Sequence, residues 1–117
     1  MTAAQEAGSR AEEIAARFLA ENGLAIVARN FRTRMGEIDV IARDGATLVF
    51  VEVRLRTRED YGGALESIDA AKRRRVVAAA NGYLATLGRE PPCRFDVVTV
   101  EGRSAHWIRA AFDAAPG

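Results

Sequence analysis

At 117 residues the chain is long enough for one domain with a modest core and too short for two. It is 49% apolar and 28% charged, an ordinary globular composition, and no apolar run approaches the roughly 20 residues needed to cross a bilayer. A net charge of +1 announces no polyanion partner, but the seventeen basic residues cluster in 29–34, 54–58 and 72–75, and only one of them, Lys72, is a lysine. Such clusters are compatible either with phosphate binding or with solvated faces.

The opening M-T-A-A-Q-E-A-G-S-R lacks a basic stretch leading into an apolar core, so a cytoplasmic protein with no membrane partner is expected. Residues 1–8 and 113–117 read as frayed tails of a single domain spanning 1–117. Ser9 and Glu12 have capping-box spacing and Gly23 supplies a stop, which predicts a first helix from about Ser9 to Asn22. Its apolar face is Ala11, Ile14, Ala15, Phe18 and Leu19. Leu24–Phe31, Gly36–Arg43 and Thr47–Arg56 follow as strands, with Asp44-Gly45 between the last two as a hairpin signal. Residues 57–66 read as a loop in which Tyr61-Gly62-Gly63 would be the mobile part. Ser67 can cap a second helix reaching about Leu87, ended by Gly88 and Pro91-Pro92. Residues 94–100 and 105–110 complete a second hairpin. The order α-β-β-β-α-β-β predicts a mixed α/β domain with helices packed on a central sheet.

Two acids interrupt the apolar strands: Asp39 and Glu52. An unpaired buried carboxylate costs several kcal/mol or takes up a proton, so either these face water or something positive meets them. With Asp44 and Gly45 as the central turn residues, paired positions sum to 89 and Asp39 opposes Phe50. Glu37, Asp39, Phe50 and Glu52 then share one face, and Asp39 and Glu52 are diagonal neighbours roughly 7–8 Å apart. The opposite face, Ile38, Val40, Val49, Val51 and Val53, is uniformly apolar and assigned to the core, leaving the acids on a separate surface. A hard divalent cation such as Mg²⁺ suits two carboxylates at that spacing.

Glu12 lies on the flank of the first helix's apolar stripe, where it either caps the helix, approaches the sheet, or does both. Lys72 falls within the second helix's stripe of Ile68, Val76, Ala79, Tyr83 and Leu87, about 40° from its centre. Its ammonium is aimed inward, or else it snorkels to pair with Glu66 or Asp69. Cys93 is the lone cysteine and His106 the lone histidine, which excludes an internal disulfide and argues against a cysteine- or histidine-based zinc site.

The run G-E-I-D-V-I-A-R-D-G-A-T-L-V-F-V-E-V-R-L-R (36–56) resembles the signature of the YraN-like family of small bacterial proteins. The resemblance extends from A-E-E-I-A-A-R-F-L-A-E-N-G through V-A-R-N-F-R to R-F-D-V-V-T-V. That family is similar in fold to restriction-endonuclease-like PD-(D/E)XK nucleases, especially Holliday-junction resolvases. Such enzymes carry a helix Glu, a strand Asp and a Glu-x-Lys on the next strand, which the resemblance maps onto Glu12, Asp39 and Glu52-Val53-Arg54.

The implied protein is a single endonuclease-like domain that cleaves structured or branched DNA with Mg²⁺ or Mn²⁺, in repair or recombination. Asp39, Glu52 and the Val53 backbone carbonyl would hold the metal, and Glu12 would position a water or second ion. Arg54 and Lys72 would stabilise the scissile phosphate, while Arg32, Arg34 and Arg56 steer the DNA backbone. Resolvases work as dimers, which leaves a homodimer open. Arg54 departs from the pattern, because a guanidinium with a pKa above 12 cannot act as a base. Either it reflects the lysine-poor composition, or Lys72 supplies the displaced ammonium, or catalysis is lost. The competing readings are a catalytically inactive nucleic-acid-binding or adaptor module on the same fold, and an interaction protein whose acids are satisfied internally.

Overall fold

The computed structural model describes residues 2–56 and 68–114. The expected loop at 57–66, its Tyr61-Gly62-Gly63 segment and the Ser67 cap lie outside the described residues, as do 115–117. The elements are α1 (Ala3–Glu21), β1 (Ala25–Arg32), β2 (Glu37–Asp44), β3 (Thr47–Leu55), α2 (Ala70–Ala85), β4 (Cys93–Glu101) and β5 (Ser104–Phe112). Their order is the expected α-β-β-β-α-β-β. One five-stranded sheet runs β1-β2-β3-β4-β5. Only β3 and β4 are parallel, with α2 in their crossover; the other neighbours are antiparallel.

Helix α1 starts six residues earlier than the Ser9 signal implied. Thr2 and Gln5 form the capping box, each bonding to the other's backbone N–H. The intervening alanines favour helix strongly enough that a later box at Ser9 is bypassed. Residues 3–8, expected as a tail, are therefore helical, and Glu12 is freed from any capping duty. At the other end Gly23 takes φ +95°, and the Leu24 N–H reaches the Leu19 carbonyl at 3.0 Å. Leu24 and Leu19 are both buried, the apolar contact that accompanies this type of helix stop.

Both faces of the sheet are buried. On one, Ala11, Ala15 and Leu19 of α1 pack against Val40, Ala42, Val49, Val51, Val98 and Val100. On the other, Val76, Ala79 and Ala80 of α2 cover Ile38, Ile41, Leu48, Phe50 and Phe95. Each fully buried Val, Leu or Ile contributes about 1.5–3 kcal/mol relative to an exposed one. Phe50 is thus core rather than part of a free acidic surface, and Ile38 belongs to the α2 side rather than to the side of Val40. The alternation slips at Asp39, whose β1 counterpart between Arg29↔Val40 and Phe31↔Ile38 is Asn30, held in the left-handed region at φ 53°.

The β2–β3 register also differs from expectation. Asp44 pairs with Thr47 and Val40 with Val51, so positions sum to 91 and the turn centres on Gly45-Ala46. Gly45 has φ 62°, the left-handed first central residue that a type II′ hairpin needs. Asp44 is kept in the strand because its carboxylate accepts from Arg94 Nη1 at 2.9 Å. Asp39 and Glu52 consequently come opposite one another rather than diagonal.

Helix α2 begins at Ala70, capped by Asp69, whose carboxylate accepts from the Lys72 N–H at 2.8 Å. Its approach to the sheet depends on Gly36, where a Cβ would overlap the backbone carbonyl of Arg75. At the far side of the sheet Asp96 is fully buried yet satisfied. It accepts from Arg94 Nε, from Trp107 Nε1 at 2.9 Å and from the Ala110 N–H at 2.9 Å, spanning the β4–β5 register shift. No helix among the described residues is long and apolar enough to cross a membrane.

Candidate functional site

The β2–β3 ladder ends at Val40↔Val51, and the next residues outward are Asp39 and Glu52. Beyond that point a side chain replaces the ladder: Asp39 Oδ2 accepts from the Val53 N–H at 2.8 Å. In a strand the N–H and C=O of one residue point to the same edge, so the Val53 carbonyl also faces Asp39. Both acids are buried, Asp39 at 7% exposure and Glu52 at 3%. The opening choice between water and a positive partner falls to the latter. Lys72 of α2 reaches Glu52, with Nζ 3.3 Å from Oε1. Of the other two candidate partners, Asp69 caps the helix and Glu66 lies outside the described residues.

One ammonium does not balance two acids. Burial, and then the negative charge of Asp39, push the Glu52 carboxyl up to about 7, with Lys72 and Arg54 pulling the other way. Asp39 is raised as well, chiefly by burial, against the Val53 N–H and the charge of Lys72. Glu52 Oε2 is buried with no hydrogen-bond partner. While Glu52 keeps its proton the two carboxyls hydrogen-bond to each other. With both ionised, Glu52 holds a buried charge that one ammonium does not offset, a cost that a bound cation would relieve.

Glu12 approaches the same end of the sheet from α1. Half-buried, it is raised by burial and by the charge of Asp39. With its amide turned to satisfy both ends, Asn30 Nδ2 donates to Glu12 Oε2 at 3.0 Å and to Oε1 at 3.3 Å. Arg54 is half-buried on the Glu52 side of β3 and bears on it electrostatically. The expected backbone-steering arginines lie farther out. Arg32 Nε pairs with Glu37 Oε2 at 3.0 Å at the surface, Arg34 is exposed in the β1–β2 turn, and Arg56 follows β3 half-buried.

Asp39, Glu52, Lys72, Arg54 and Glu12 thus converge, and Asn30 and Gly36 are site-supporting residues that sequence reasoning missed. An asparagine within V-A-R-N-F-R, a poor strand former, was the available signal for Asn30. Cys93 and His106 are both exposed: Cys93 lies opposite Leu48, and His106 opposite Thr99, the β4 partner of Arg54.

The donor set fits a hard divalent ion: Asp39, Glu52 with its orphaned oxygen, and the Val53 carbonyl are all oxygen ligands. The described residues hold no group of three or more His, Cys, Asp and Glu side chains able to share an ion, so most of the coordination would fall to water and substrate oxygens. Such an ion supplies a water of lowered pKa and neutralises charge on a phosphate.

The sequence profile of the "Uncharacterised protein family UPF0102" matches residues 11–100. A UPF0102 protein of Nitrosospira multiformis is 55% identical over 109 residues, covering 91% of this chain and 92% of its own. One of Dechloromonas aromatica is 56% identical over 108 residues, covering 92% and 88%. One of Nitrosomonas europaea is 47% identical over 116 residues, covering 97% and 98%. The matched span contains Glu12, Asp39, Glu52, Arg54 and Lys72, and the chain belongs to the uncharacterised family UPF0102, the YraN-like family its strand signature resembles.

Proposed function

We propose that the protein is a divalent-metal-dependent phosphodiesterase acting on structured or branched DNA. The observation that carries this reading is the buried Asp39–Glu52 pair, under-neutralised by Lys72 and left with one orphaned oxygen. Mg²⁺ or Mn²⁺ would be held by Asp39, Glu52 and the Val53 carbonyl. Lys72 and Arg54 lie where they would take up charge developing on a phosphate. Glu12, held by Asn30, would orient a water at the rim. Arginine at position 54 cannot accept a proton, which leaves water activation to the metal, and Lys72 would supply the ammonium at the site. Arg32, Arg34 and Arg56 would contact the DNA backbone.

The test is cleavage of a nicked plasmid, a flap and a four-way junction in Mg²⁺ or Mn²⁺, comparing the parent with Asp39→Asn. That substitution keeps an acceptor for the Val53 N–H while removing the charge. Cleavage lost in Asp39→Asn supports the reading, and cleavage unchanged by it removes the site.

One observation favours a second reading, a non-catalytic nucleic-acid-binding or adaptor module. The Lys72–Glu52 pair already neutralises one acid internally. Metal-independent, salt-sensitive DNA binding without cleavage, persisting in Arg54→Lys, would establish it in place of the first.

A further inference from the structure

Among the described residues three large hydrophobic side chains are exposed, Val27, Met35 and Leu55, and Met35 is the most exposed at 67%. A single exposed apolar side chain on a protein surface requires no explanation by itself. Three observations separate Met35 from that background.

Its turn is rigid. Thr33 Oγ1 accepts from the Met35 N–H at 3.0 Å and from the Gly36 N–H at 3.1 Å, and the Thr33 N–H donates to the Gly36 carbonyl at 2.8 Å. The turn is also buttressed, because Gly36 lies against the Arg75 backbone with no room for a Cβ. Thr33 and Gly36 therefore pin the backbone on both sides of Met35, whose side chain stands exposed.

Its surroundings are cationic. Arg34 precedes it in the turn and is exposed, and Arg75, whose backbone Gly36 touches, is exposed as well. An apolar tip preceded by one exposed arginine and resting on a helix turn that carries another disfavours an apolar protein surface, which would have to desolvate those charges. It suits a partner that offers phosphates and an apolar face together.

Its position is close to the candidate centre. Four residues of extended chain separate Met35 from Asp39, at most about 14 Å. Leu55, 46% exposed at the end of β3, leaves the sheet at the same end as Asp39 and Glu52 and is likewise flanked by arginines, Arg54 and Arg56.

We propose that the Thr33–Gly36 turn is a wedge that recognises DNA with an unstacked base at a branch point. Met35 packs against the exposed base face, and Arg34 and Arg75 hold the neighbouring phosphates. Insertion of an apolar side chain into an intact duplex costs a few kcal/mol of unstacking, a cost already met where a step is open at a branch. This inference rests on the nucleic-acid part of the reading above and needs no cleavage.

The experiment measures binding in EDTA to a fork carrying 2-aminopurine at its branch point and to a blunt duplex of the same length. The parent binds the fork more tightly and raises 2-aminopurine emission. Met35→Ala binds the fork about fivefold more weakly, the lower end of one base-stacking contact. It leaves duplex affinity unchanged and loses the emission rise, and Met35→Leu restores both. Arg34→Ala weakens both substrates alike and reduces the salt slope by about one. Met35→Ala behaving as the parent on both DNAs overturns the wedge, even if Asp39→Asn abolishes cleavage. Met35-dependent fork binding without cleavage in Mg²⁺ keeps the wedge and removes the phosphodiesterase. No binding to either DNA at low salt overturns both.

Discussion

Glu52 and Lys72 set the charge balance of the candidate site, and pH separates their contributions. Burial and Asp39 raise the folded-state carboxyl of Glu52 from an ordinary 4.5 to about 7. A group that holds its proton more tightly when folded stabilises the fold fully below the unfolded value and stops doing so as pH rises through the folded one. Without divalent ions, thermal stability should therefore fall between about pH 4.5 and 7, by on the order of a few kcal/mol. Melting curves in EDTA across that range should show a steeper slope in the parent than in Glu52→Gln, where only the raised Asp39 and Glu12 carboxyls remain. Lys72→Met should steepen that slope, because Lys72 holds the Glu52 carboxyl down. At pH 8 it leaves Glu52 ionised without its partner, at a cost of about 2 kcal/mol, below the range for a fully enclosed pair. At pH 5 the protonated acid no longer needs an ammonium, and the cost should shrink towards zero. Urea midpoints at the two pH values give the comparison.

The elements place these residues through two local irregularities, and the sequence disclosed them unevenly. The strands were legible because Val/Ile/Phe runs and the Asp-Gly pair mark them directly. The register was off by two residues, since Arg94 holds Asp44 in the strand and moves the turn onto Gly45-Ala46. A shift of two preserves which face each side chain takes, so the shared location of Asp39 and Glu52 survived the error; a shift of one would have separated them. Helical periodicity put Lys72 within the buried stripe of α2 but left its ammonium inward or snorkelling, a choice that the Glu52 ion pair makes. The start of α1 was not legible, because the capping motif at Ser9 imitates an end that Thr2 supplies; α2 is capped by Asp69. Asn30 and Gly36 were illegible for another reason: their roles are contacts with residues distant in sequence, Glu12 and Arg75. Asn30 serves twice, as a left-handed backbone position and as a donor. Asn30→Ala should cost about 1–2 kcal/mol from the backbone alone, whereas Asn30→Gly keeps the conformation and loses only the amide. Denaturation should rank the parent and Asn30→Gly close together with Asn30→Ala lowest. Lost cleavage in Asn30→Gly would then report the grip on Glu12.

For the molecule as a whole, α1 and α2 clamp opposite faces of one sheet, and the candidate site lies at the sheet end between them. An ion bound there ties both layers through β2 and β3, so its binding energy is folding energy. At a hundredfold excess over its dissociation constant, Mn²⁺ should add about 2.7 kcal/mol to stability, a rise in midpoint of roughly 10 °C for a domain of this size. Asp39→Asn should show no such rise in the same calorimetric scan. The fold also carries its own optical reporter. Trp107, the only tryptophan, has Arg109 3.9 Å over its ring and Arg94 5.9 Å away, with Phe18 of α1 edge-on at 6.2 Å. Indole fluorescence accordingly follows the seating of the N-terminal helix. A kinetic trace recorded at that wavelength times the detachment of this layer.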